Sequence, residues 1–147
     1  MSVDMSAKNF QNQNGNSGNR SQFESFRSEW ITDGADSSMV AYCETLAREL
    51  ANKRISSSQL RNIYGEVMRI KQKGYEKMKT DFLLLRPKVA YNAARIKKMD
   101  AKNFFTNKFV NKTFNIAHDA VKDEKTFLNF QRFFEAILAY HKLYGND

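Results

Sequence analysis

Pro87 is the only proline in a chain of 147 residues, and it stands inside the stretch FLLLRPKVAYNAAR, from Phe82 to Arg95. It cannot donate to the carbonyl of Leu83, and its ring pushes Arg86 away from the α region, so a kink or a break is expected there. On both sides of it the residues keep a helical period. At about 100° per residue, Phe82, Leu85 and Val89 make one apolar line, Lys79, Arg86 and Lys97 make a line of positive charge, and Lys88 and Arg95 point a third way. Two readings are open: a bent core helix, or a bend that aims two sets of cations at one extended anion.

Breakers are scarce elsewhere too. Twelve phenylalanines and six tyrosines stand against that one proline and six glycines, which favours packed helices over a turn-rich sheet fold. The expected fold is all-α, a bundle of about five helices with a disordered N-terminal tail. Residues 1–22 are rich in Asn, Gln, Ser and Gly with almost nothing to bury, so they form that tail. Residues 23–35 are a short apolar segment in which Phe23, Phe26 and Trp30 fall on one stripe. Such a stripe usually docks on its own domain and less often anchors a neighbour. Residues 36–147 are the helical-bundle domain.

Within that domain, Asp33 to Ser38 offers caps for a helix running to about Lys53, with Met39, Tyr42, Cys43, Leu46 and Leu50 inward. Ser56 to Ser58 cap the next, whose buried face is Leu60, Ile63, Tyr64, Val67 and Ile70 and whose stop is Gly74. The Pro87 helix starts near Tyr75. Asp100 is expected to cap a helix holding Phe104, Phe105, Phe109, Val110, Phe114, Ile116 and Ala117. Asp123 or a neighbour caps a last one holding Phe127, Phe130, Phe134, Ile137, Leu138 and His141.

The net charge of +8 is concentrated in the middle of the chain. From Lys53 to Lys102 there are fourteen basic and four acidic residues, a net +10, whereas Met1 to Asn52 carries −3 and Asn103 to Asp147 carries +1. So dense a basic field is the electrostatic footprint of a polyanion, although any one lysine is ordinarily just solvated. The candidate contacts in the basic middle are Lys53, Arg54, Arg61, Arg69, Lys73, Lys79, Arg86, Lys88, Arg95 and Lys97.

Catalysis has no candidates. His118 and His141 are the only histidines, and neither makes a metal-ligand spacing with the single cysteine or a carboxylate. Cys43 lies in an apolar helical pattern, where a buried free thiol is the ordinary explanation. There is no glycine-rich phosphate loop and no nucleophile elbow. Asp119 and Asp123 lie one turn apart, a spacing that usually marks a solvated face. No cofactor and no metal are expected, and a nuclease is the weakest reading. No apolar run approaches a membrane span and Met1 to Arg20 lacks the core of a signal peptide, so a cytoplasmic protein without a membrane partner is expected.

Three pieces in order, LRNIYGEVMRI (Leu60 to Ile70), LRPKVAYNAAR (Leu85 to Arg95) and FQRFFEAILAYHKLYG (Phe130 to Gly145), resemble the small helical subunit of type III-A CRISPR–Cas effector complexes, the Csm small subunit. The resemblance spans about Ile55 to Tyr144. It implies a non-catalytic subunit that stacks in several copies along a ribonucleoprotein filament, beside backbone and large subunits. Its RNA partners would be the guide and the target, held by the sugar-phosphate backbone. It carries basic contacts over to Arg61, Arg69, Lys88 and Arg95, with Arg86 matched on charge alone. The alternative is a helical protein–protein adaptor whose lysines only keep it soluble.

Overall fold

The computed structural model describes residues 25–145, and all the regular structure among them is helical. The expected tail and Phe23 lie outside the described residues. In chain order the helices are α1 (Glu29–Thr32), α2 (Ser37–Asn52), α3 (Ser57–Lys73), α4 (Lys79–Leu83), α5 (Leu85–Ala94), α6 and α7 (Glu124–Tyr144). α6 runs on through an α-helical Met99–Phe104, a π-helical Phe105–Phe114 and an α-helical Asn115–Asp119. The all-helical expectation is met.

Local chemistry sets most helix ends. Asp36 caps α2 by accepting from the Met39 N–H at 2.9 Å, and Ser56 caps α3 by accepting from Gln59. Gly74 closes α3 with φ 97°, a conformation open to glycine. Asp123 and Thr126 form a reciprocal capping box at α7. α2 ends in a Schellman turn, in which Arg54 donates to the Ala51 carbonyl and Ile55 to that of Leu50. Its left-handed position is held by Arg54 itself, φ 64°, rather than by glycine.

α7 is the central helix, packed against α1, α2 and α3, with α6 on its aromatic side. Phe26 and Trp30 are buried, and their rings meet Tyr42 of α2 and Phe133 of α7. The apolar segment before α2 therefore docks on its own domain. Trp30 Nε1 also donates to Ser38, and Asn129 of α7 donates to the Ile31 carbonyl at 2.8 Å.

Three expectations fail at helix ends. The helix expected from near Tyr75 starts at Lys79, after turns over residues 75–78. Asp100 does not cap α6; it sits in the first turn after Lys98 and pairs with Lys53 at 3.0 Å. The break near Pro87 falls at Leu84, and Arg86 stays helical. Pro87 is the third residue of α5, inside the first turn, where backbone N–H groups have no intrahelical acceptor and a missing one costs nothing. The interruption thus moves back along the chain. The Phe82 carbonyl beside it accepts from His118 Nε2 at 2.7 Å, and the two rings stack with centroids 3.9 Å apart.

The 3.6-residue period does not describe the π segment. On an α-helix Phe105 and Phe114 would point about 180° apart, yet both are buried, Phe105 against Phe109 and Phe114 against Phe130 and Phe134. The wider winding turns both rings to the core. Thr113, fully buried, donates back to the Lys108 carbonyl at 2.9 Å and accepts from the Tyr42 hydroxyl of α2.

Candidate nucleic-acid interface

α3 and α5 lie side by side and leave a groove of about 390 Å³ between them. Asn62, Ile63 and Glu66 line one wall, and Leu85, Pro87, Lys88, Tyr91 and Asn92 the other. Burial of Ile63, Val67, Leu85 and Val89 fixes the two helices together and leaves the polar residues at the rim. Glu66 stands at the middle. Its Oε1 takes Arg69 at 3.0 Å and Lys88 at 3.1 Å, and Arg69 reaches on to Asp81 of α4 at 2.6 Å. Arg69, followed by Lys88, holds the Glu66 carboxyl below its ordinary range, and Arg69 does the same to Asp81. The carboxylates in turn raise Arg69, Asp81 more than Glu66. Two cations and two carboxylates form a neutral quartet that ties α3 to α4 and α5.

Beyond the quartet α5 presents a continuous exposed line. Lys88, Tyr91 and Arg95 fall at i, i+3 and i+7 on one face. Tyr91 is 64% exposed, and the Arg95 guanidinium lies 5.6 Å from its ring centroid. Arg95 makes no ion pair among the described residues.

The other predicted cations have separate places. Arg61 is exposed and donates to Ser57; with Tyr64, Glu135, Leu138 and Lys142 it lines a different groove, between α3 and α7. Arg86 turns towards α6, donating to the Asn115 carbonyl and pairing with Asp119, with its Nε buried and unpartnered. Lys79 pairs with Glu76, and Lys53 with Asp100. Arg54, Lys73 and Lys97 are exposed. The structure thus gathers Arg69, Lys88 and Arg95 along the α3–α5 side, and sets Arg61 and Arg86 apart from them.

Sequence reasoning overlooked Tyr91. It also passed over Lys108 and Lys112, because the last third of the chain is nearly neutral and the α-helical period does not bring them to one groove with Asn103 and Asn107, as the structure does. The i, i+3, i+7 spacing of Lys88, Tyr91 and Arg95 was the available signal for the first.

Among the described residues the one thiol and the two imidazoles are buried. Burial pushes the Cys43 thiol up to about 12, far from a reactive thiolate. His118 and His141 each donate from Nε2 to a backbone carbonyl, of Phe82 and Ile55. Among the described residues no group of three His, Cys, Asp or Glu side chains could hold a metal ion, and no helix is long and apolar enough to cross a membrane.

Comparison with known proteins gives a family. The one described as Csm2 Type III-A matches residues 34–147, well over half of the chain. No curated protein matches. The chain belongs to the Csm2 type III-A family and is a small subunit of a type III-A CRISPR effector complex.

Proposed function

We propose that this small subunit stacks in several copies along the effector filament and holds guide and target RNA by the sugar-phosphate backbone, without catalysing a reaction. Its partners would be those RNAs, the backbone and large subunits and copies of itself, in the cytoplasm. The observation that carries this reading is the exposed line Lys88, Tyr91 and Arg95 beside the α3–α5 groove. A subunit that serves any guide sequence must bind without reading bases. Lysine and arginine contacts to phosphate do so, and base pairing between guide and target supplies the specificity. An exposed tyrosine carrying a guanidinium adds a flat face for a sugar or an unpaired base.

The Lys88–Glu66 pair does not stand against this. Lys88 is about half exposed, and surface pairs of this kind are worth about 0–1 kcal/mol. A phosphate can take the ammonium over at little cost.

A second reading, an adaptor that contacts only protein, is favoured by two observations. Leu83, Leu84, Met99 and Leu143 are each at least half exposed, and cations at Lys53, Arg69, Lys79, Arg86 and Lys88 already have carboxylate partners. Reconstituted complexes carrying Lys88→Ala and Arg95→Ala, assayed with several unrelated target sequences, separate the two. Backbone binding predicts the same fractional loss of affinity for every sequence. Unchanged affinity with intact assembly would favour the adaptor.

A further inference from the structure

The first half of α6 carries another cationic groove, which shares no lining residue with the one between α3 and α5. Asn103, Asn107, Lys108 and Lys112 line it, Lys53 arrives from the end of α2, and the space between them is about 320 Å³. Lys53 also lies 5.8 Å above the half-buried ring of Phe104. The carboxylate in this groove, Asp100, is 80% exposed and is taken up by Lys53.

The π winding brings the side chains together. Asn107 and Lys112 are five residues apart, about 140° round an α-helix, yet both line this groove. Between Phe105 and Phe114 the hydrogen bonds run i→i+5, so residues five apart return to the same side. Turns of this kind inside α-helices are frequent at functional sites. Burial, and after it the charge of Lys112, lowers the Lys108 pKa from its ordinary value. The two ammonium groups are thus near enough to repel each other, and an anion between them would remove that repulsion. Ammonium and amide N–H groups are the donors a phosphate oxyanion accepts from.

We propose that this groove binds a phosphate oxyanion, with Lys108 and Lys112 supplying the charge and the side-chain amides of Asn103 and Asn107 donating to the remaining oxygens. An RNA backbone is its source, and that choice rests on the function proposed above; a free polyphosphate is the other source with the same chemistry.

The test is NMR on the isotopically labelled full chain, following backbone amides and lysine Nζ signals during separate titrations with inorganic pyrophosphate and a short oligouridylate. Saturable shifts at Asn107, Lys108 and Lys112 are expected with both probes. They should be lost in Lys108→Gln/Lys112→Gln, and weakened in Lys112→Gln alone, a change at an exposed side chain that leaves the core untouched. They should persist in Lys88→Gln/Arg95→Gln. Shifts with pyrophosphate alone would overturn RNA as the source, and none with either probe would overturn the site. If the shifts persist in Lys88→Gln/Arg95→Gln and that variant binds oligouridylate with unchanged affinity, the site stands and the α5 reading falls.

Discussion

The side of the bundle where α6 meets α7 and the side where α3 meets α4 and α5 hold their helices together by different means. On the first, Phe105, Phe109, Phe114, Phe127, Phe130 and Phe134 are almost wholly buried and meet at aromatic distances. On the second, a thinner apolar seam is supplemented by the Glu66, Arg69, Asp81 and Lys88 quartet. Aromatic burial is not screened by salt, whereas half-exposed ion pairs are weak, screened and open to exchange with an anionic ligand. The aromatic side is therefore the scaffold, and the ion-paired side is where an anionic ligand competes with carboxylates for the cations.

The comparison breaks most visibly at Phe130. It is 1% exposed and edge-on to Phe82 and Phe114, so Phe130→Ala should lower stability by about 3–5 kcal/mol. Urea denaturation would measure it; a loss as small as that of a surface variant would mean that the aromatic side is not the scaffold.

Acid divides the two sides next. Burial lowers the pKa of His118, so its folded value lies below the ordinary 6.5. The unfolded chain then binds the proton first, and the stability held by neutral His118 is complete above pH 6.5 and lost as pH falls below it. Glu66 and Asp81, also depressed, lose their contribution only below their ordinary values of 4.5 and 3.8. Thermal melts between pH 7.5 and pH 5 should show a decline that His118→Gln flattens. A decline of equal slope in that variant would remove His118 as its cause.

Arg54 separates backbone from charge. Its left-handed φ of 64° costs about 1 kcal/mol relative to glycine. Arg54→Gly should therefore raise stability by about that amount, as read by denaturation, while RNA affinity falls if the side chain is a contact. A destabilised variant would contradict the strain.

The smallest effect on stability is expected from Glu66→Gln. It should change stability by about 1 kcal/mol, because the pairs it breaks are half-exposed and open to solvent screening. Affinity for RNA should rise, since Arg69 and Lys88 lose a competing carboxylate. Weaker RNA binding would mean that Glu66 holds those cations in place for the ligand.

Much of this was legible in the sequence because helix caps are local. Asp36, Ser56, Gly74 and Asp123 mark ends by what their own side chains or backbones can do within four residues. Pro87 announced a break but not its place, since a proline in the first turn of a helix is tolerated and the interruption shifts to Leu84. The π segment was hidden, because a period of 3.6 put Phe105 and Phe114 on opposite faces and kept Asn107 away from Lys112. Of the interface, the line from Lys88 to Arg95 could be read from spacing. The pair of Glu66 with Arg69, i and i+3 on α3, is likewise local; that Asp81 would also claim Arg69, and Glu66 Lys88, could not be read, since those pairs arise only when α3 packs beside α4 and α5.

Salt dependence is the most direct probe of whether α5 grips phosphate. Binding of single-stranded RNA by the assembled complex, with and without Lys88→Ala and Arg95→Ala, should be followed over a range of salt concentrations. The slope of log K against log salt should flatten by about 0.7 for each contact removed, with the steeper line belonging to the unaltered subunit. Superimposable lines would contradict the account.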